Sequence, residues 1–130
     1  KFKLSPRIKW IAHASVGSAP ETPLLAADVA ALQVLQRAGH ENAHDMTHIE
    51  LHDAFAVQGL SFIDGLSLAP ERLNVRGGGL ARGHPIGASA AIALVRLMAD
   101  LNREGASGSK GLVAVAGAGG LGSAAVVATL

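Results

Sequence analysis

Gly83-His84-Pro85-Ile86-Gly87-Ala88-Ser89 is the stretch on which the reading of this chain turns, because a histidine and a proline stand where a glycine-rich segment gives way to a helix. Downstream, Ala88, Ala91, Ile92, Leu94, Val95, Met98 and Leu101 recur at helical spacing, which predicts a helix from Ile86 to about Arg103 with His84 at its N-terminus. Gly111–Ala116 then reads as an apolar strand, Gly117–Gly122 as a tight turn, and Ala124–Ala128 as a returning partner strand. Upstream, Asn74-Val75-Arg76-Gly77-Gly78-Gly79 is a crossing whose glycines imply close backbone approach or positive φ.

Farther toward the N-terminus, residues 7–17 alternate imperfectly and read as a strand ended by Gly17. A loop over 18–23 leads to a helix carrying Leu24, Leu25, Ala27, Asp28, Ala31, Leu32, Leu35 and Ala38. Thr22 is its candidate cap, Pro23 lies in its first turn and Gly39 stops it. Met46–Leu51 is a short strand that delivers His52-Asp53 at its end; a helix from Ala54 to about Leu66 and a turn at Leu68-Ala69-Pro70-Glu71 follow. The order β-α-β-α-α-β-β predicts a mixed sheet carrying helices, in one domain spanning 1–130.

The composition limits the function classes. Of 130 residues 49% are hydrophobic and 16% charged, with three Phe, one Trp and no Tyr, so the core must be built from Ala, Val, Leu and Ile. The net charge of +1 comes from scattered basic residues that form no stripe for a nucleic-acid backbone. Apolar runs fall short of the ~20 residues of a membrane span, and the N-terminus lacks a leader's apolar core, so the expected setting is cytoplasmic. Zero cysteines exclude disulfides and thiolate metal sites within these residues.

Two motifs lose their force on inspection. Gly117-Ala118-Gly119-Gly120-Leu121-Gly122 matches the spacing of a dinucleotide-binding fingerprint, but the eight residues after it leave no room for the required helix and acidic residue, so a hairpin turn is expected. His40, His44, His48 and His52 recur every fourth residue, yet Gly39, Asn42, Asp45, Thr47 and Ile49 argue against a helix there; no metal site is expected, and His40 and His44 read as exposed loop histidines. His52 and His84 differ, since each stands at a junction just before a helix. Taken singly, each is more readily structural than catalytic.

Four ordered blocks change that weighting: Glu50-Leu51-His52-Asp53-Ala54-Phe55-Ala56-Val57-Gln58, Asn74-Val75-Arg76-Gly77-Gly78, the stretch from Gly83 to Ser89, and Gly117 to Gly122. In order and spacing they resemble the C-terminal domain of thiolases. The resemblance implies a five-stranded mixed sheet with helices on both faces, one half of a duplicated fold. It assigns His84 as the base that activates a cysteine nucleophile and His52 to the oxyanion site of a coenzyme A thioester. Histidine at position 52, where ordinary thiolases have Asn, resembles the sterol-carrier-protein-type and archaeal thiolases and the trifunctional-complex β subunit. The backbone of Ala118 and Gly119 would complete a second oxyanion hole.

One departure matters for chemistry. Where the family carries a second cysteine, the acid/base of condensation, this chain has Ala116, whose methyl group has no transferable proton. The nucleophilic cysteine belongs to an N-terminal domain not contained in these residues. The expected function is therefore the C-terminal catalytic half of an acyl-CoA acyltransferase, acting in 3-ketoacyl-CoA thiolysis or acetyl-CoA condensation, as in fatty acid metabolism. Its expected partners are an N-terminal thiolase domain or subunit within a homo- or hetero-oligomer, with no cofactor besides the thioester substrate. The alternative is a thioester-binding or assembly subunit without condensation activity, which Ala116 motivates.

Overall fold

Strands β1 (Ile8–Gly17), β2 (His48–His52), β3 (Lys110–Gly117) and β4 (Leu121–Thr129) form one mixed sheet in the order β1-β4-β3-β2 in a computed structural model that describes Ser5 and residues 7–130. Lys1 and Lys3, counted above among the basic residues, and the N-terminal segment read for a leader lie wholly or partly outside the described residues. β1 and β3 run antiparallel to β4, whereas β2 runs parallel to β3. The imperfect alternation of 7–17 has a structural cause, a register shift in β1 between Trp10 and Ala12.

Helices α1 (Ala26–Arg37), α2 (Ala56–Gly65), α3 (Gly79–Arg82) and α4 (Ser89–Glu104) complete the fold. α1 lies on one face of the sheet, where Ala27, Ala30, Ala31, Val34 and Leu35 join Leu51, Leu112, Ala114 and Val126 in the main core. The alanines let helix and sheet approach closely, as the composition requires. Gly122 shows how closely: a Cβ there would overlap the Ala26 carbonyl oxygen. α4 covers the other face, burying Ala93, Leu97 and Leu101 against Val113, Ala125 and Val127. Each fully buried Leu or Val contributes about 1.5–3 kcal/mol relative to exposure.

The predicted elements are present with shifted ends. A short 3-10 turn at Pro23–Leu25 precedes α1, and Thr22 makes no side-chain cap. α4 begins at Ser89, three residues later than predicted, because the Pro85 carbonyl accepts the N–H groups of both Ala88 and Ser89 and closes a turn ahead of the helix. Where five strands were expected, the described residues form four. On the outer edge of β2, among the described residues, only Leu73 forms a bridge, in parallel with Ile49. Asn74 then turns the chain at φ 51°, its N–H donating to the Ile49 carbonyl at 3.0 Å and its Oδ1 accepting the Leu51 N–H at 2.8 Å. One side chain thus takes the place of the next strand.

Gly117 pairs with Leu121 across the β3–β4 turn, so the glycine-rich segment is a hairpin as expected, with Gly119 and Gly120 at φ 77° and 80°. No described helix is long and apolar enough to cross a membrane.

Candidate functional site

The parallel pairing of β2 with β3 brings the C-terminal ends of both strands to one rim of the sheet, with His52 opposite Val115. The connection between them passes through α4, whose start lies at the same rim. Ligand sites in such sheets form beyond the carboxyl ends of parallel strands. Here a cleft of about 340 Å³ opens between the two segments, with His84, Ile86 and Ser89 on one wall and Ala116, Ala118 and Ser123 on the other. His84 and Ala116, far apart in sequence, face one space.

Ser89 orients His84. Its hydroxyl has one hydrogen, which it donates to the Pro85 carbonyl at 3.1 Å. Toward His84 Nδ1, 2.8 Å away, the same oxygen must then accept. In that arrangement the neutral imidazole carries its proton on Nδ1 and leaves the Nε2 lone pair free as a base. Gly83, at φ 87°, supplies the backbone turn that presents the ring.

His52 is buried at 2% exposure, and its ring stacks on that of His84 with centroids 4.3 Å apart and planes tilted by 31°. Its Nε2 is buried with no hydrogen-bond partner. A cavity of about 50 Å³ beside it, lined by His52, Arg82, Gly83, Pro85, Ser89 and Ile92, has the size of a water site. The crossing that carries Gly77 to Gly79 closes over the ring. A Cβ at Gly79 would fall 2.8 Å from His52 Nδ1, and one at Gly78 would overlap Asp53 Oδ1. Asp53 in turn accepts the Gly79 N–H. The glycines there serve close approach, as the sequence implied, and Gly77 also needs its φ of 82°.

Burial pushes the His52 imidazolium below the ordinary value of 6.5; His84 adds to the effect, Asp53 opposes it and Arg82 adds further. The unfolded chain therefore binds a proton that the folded chain refuses in the window just below pH 6.5. This contribution to stability is complete above that pH and is lost as pH falls through the window. Melts of the intact protein from about pH 7.5 to 5.5 should show a steeper fall in Tm than those of His52→Asn, which has no such proton to refuse. Equal slopes would mean that His52 is not held neutral by the fold.

The remaining histidines lie apart from this cleft. His40 corrects the expectation of an exposed loop histidine: its side chain is 8% exposed, with Nδ1 3.0 Å from Asp45 Oδ2 and Nε2 3.0 Å from Lys110 Nζ. His44 is exposed and bonds the Ser67 carbonyl. His48 lies 3.4 Å from Glu104. The four histidines of the fourfold spacing thus have separate surroundings, and no described group of three potential ligands could hold a metal. Ala118 occupies the hairpin turn, and no backbone carbonyl among the described residues takes its N–H. Sequence reasoning missed the orienting role of Ser89, whose only signal is its place five residues after His84.

Comparison with known proteins shows the family. The family model for the thiolase C-terminal domain matches residues 4–129. An acetyl-CoA acetyltransferase of Syntrophomonas wolfei is 36% identical over 129 residues, covering 98% of this chain and 32% of that protein. A probable acetyl-CoA acyltransferase of Staphylococcus aureus is 44% identical over 78 residues, covering 60% of this chain and 20% of that protein. Among solved structures, the Acat5 thiolase from Ascaris suum in complex with coenzyme A superposes with a TM-score of 0.90 at 37% identity, covering 98% of this chain and 32% of that one. The Bacillus anthracis acetyl-CoA acetyltransferase also gives 0.90, at 30% identity and the same coverage. The chain thus spans about a third of the length of relatives that it matches from end to end.

Proposed function

Since this chain belongs to the thiolase family, as its C-terminal domain, we propose that it forms one wall of an acyl-CoA thioester site and supplies the base for a cysteine carried elsewhere in the intact protein. The observation that carries this reading is the His84–Ser89–Pro85 chain of hydrogen bonds, which leaves the imidazole Nε2 free beside the cleft. A neutral imidazole so oriented accepts a thiol proton, and the thiolate attacks the thioester carbonyl. His52, kept neutral by burial, offers a donor to the developing oxyanion directly or through a water in the adjoining cavity. The Ala118 N–H is a second donor, and the adjacent Gly119 shapes the turn that presents it. The reading needs no cofactor beyond the thioester.

The nucleophile-bearing half has a surface to meet. Beside α4 the sheet carries an apolar trough of about 300 Å³ that includes Trp10, Ala90, Ala91, Leu94 and Ala125, and Trp10 is 53% exposed. In this reading an N-terminal thiolase domain, in the same chain or in a partner of an oligomer, covers it. A cytoplasmic setting and a role in 3-ketoacyl-CoA breakdown or acetyl-CoA condensation belong to the same proposal.

Ala116 favours a second reading, in which the site binds thioesters and forms no carbon–carbon bond, since no thiol stands there to move the Cα proton. Calorimetric titration of the intact protein with acetyl-CoA, run beside mass spectrometry for the acyl-enzyme, tests both. Saturable binding with a mass increase of one acetyl group supports the leading reading. Binding without acylation selects the second, and no binding at all removes both.

A further inference from the structure

We propose that the Glu50–Arg96 pair, closed between β2 and α4, positions His52 by holding the glycine crossing down on its ring. Strand alternation sets up the arrangement. Ile49 and Leu51 enter the core on the α1 side, so His48, Glu50 and His52 point to the α4 side of the same strand. Glu50 is 1% exposed, and neither carboxylate oxygen has a hydrogen-bond partner. The cation paired with it among the described residues is Arg96 of α4, whose Nε lies 3.6 Å from Oε2.

Such a pair is a poor source of stability. Desolvating a carboxylate costs several kcal/mol, which attraction at this separation repays incompletely, and an apolar pair of similar volume would serve the core better. Burial accordingly raises the Glu50 pKa, against the influence of Arg96 and Arg82. What the pair does supply is direction. With its Nε toward Glu50, the Arg96 guanidinium turns Nη2 onto the crossing, donating to the Arg76 carbonyl at 2.9 Å and the Gly77 carbonyl at 3.1 Å. Arg82 donates to the same Gly77 carbonyl from the other side of the crossing. Two residues on, the Gly79 backbone packs against the His52 imidazole, with its N–H held by Asp53. Glu50 aims Arg96, Arg96 clamps Gly77, and the clamped loop shields the Nδ1 edge of His52 from bulk solvent.

The inference rests on the assignment of His52 to the thioester site, but its test reads the imidazole and needs no turnover. Histidine Cε1–H resonances of the intact protein are titrated by NMR for the parent, Arg96→Gln, Arg96→Lys and the core control Leu97→Ala. Charged and titratable neighbours of His52 that stay constant throughout are His84, Asp53 and Arg82. In Arg96→Gln the crossing lifts, water reaches the ring, and the His52 midpoint rises toward that of a free histidine. Arg96→Lys retains the charge opposite Glu50 without the fork that reaches two carbonyls, and its midpoint falls between the two. Leu97→Ala lowers Tm and leaves the midpoint in place. An unchanged midpoint in Arg96→Gln, or in Arg96→Lys if the first variant does not fold, overturns the proposal. So does a comparable rise in Leu97→Ala, which would reduce the pair to a structural contact. A protein that shows the midpoint shift but no acylation keeps this inference and loses the functional reading.

Discussion

Replacing His84 by alanine is expected to lower acylation of the nucleophilic cysteine by acetyl-CoA about 10²–10⁴-fold, the usual worth of a positioned general base. The loss should fall on the rate of acyl-enzyme formation, measured by rapid quench and intact-protein mass, with acetyl-CoA binding little changed. His84 is exposed, so the loss of stability should stay near the range of ordinary surface substitutions, about 0.5 kcal/mol. That separation matters, because a folding defect would mimic a catalytic one. Acylation undiminished in His84→Ala would remove the residue from the mechanism and leave its hydrogen bonds a purely structural feature of the turn.

Ala116→Cys is expected to act in the opposite direction. Ala116 is half-buried, lines the cleft together with His84 and pairs across the hairpin with Gly122. A cysteine there would provide the acid/base that alanine lacks, and thiolysis of acetoacetyl-CoA by the intact protein should rise about 10²–10⁴-fold. Acyl-enzyme formation from acetyl-CoA, which needs only the first cysteine and His84, should stay near the parent rate. If thiolysis does not rise, the departure at position 116 is not what limits the chemistry, and the cleft has diverged in other ways.

Much of the geometry of this candidate site was legible in the sequence because local rules place its histidines. The histidines of the first and third blocks stand at element junctions, and the parallel pairing of β2 with β3 brings their junctions to one rim. The hairpin at Gly117–Gly122 follows from glycine chemistry, with Gly119 and Gly120 at positive φ. Long-range polar pairing was not legible. Glu50 and Arg96 meet only because α4 crosses β2, and His40 gains its partners only because the α1–β2 loop folds back on the start of β3. The fifth strand is missing for a local reason that periodicity does not report. Leu73 has the apolar character of a strand residue, but Asn74 adopts positive φ, which Asn tolerates better than most residues. The start of α4 differs from its expected place because the turn at Pro85 precedes the helix with the same apolar spacing.

Asn74 also bears on how the protein meets other copies of itself. β2 is one of the two edge strands of the sheet, and an edge strand with idle N–H and C=O groups is a template on which another chain can polymerise. By occupying the Leu51 N–H with its side chain and the Ile49 carbonyl with its own N–H, Asn74 works as a terminator for lateral sheet growth. On the outer side of the strand that ends in His52, Leu73 and Asn74 thus stand where a further strand would pair.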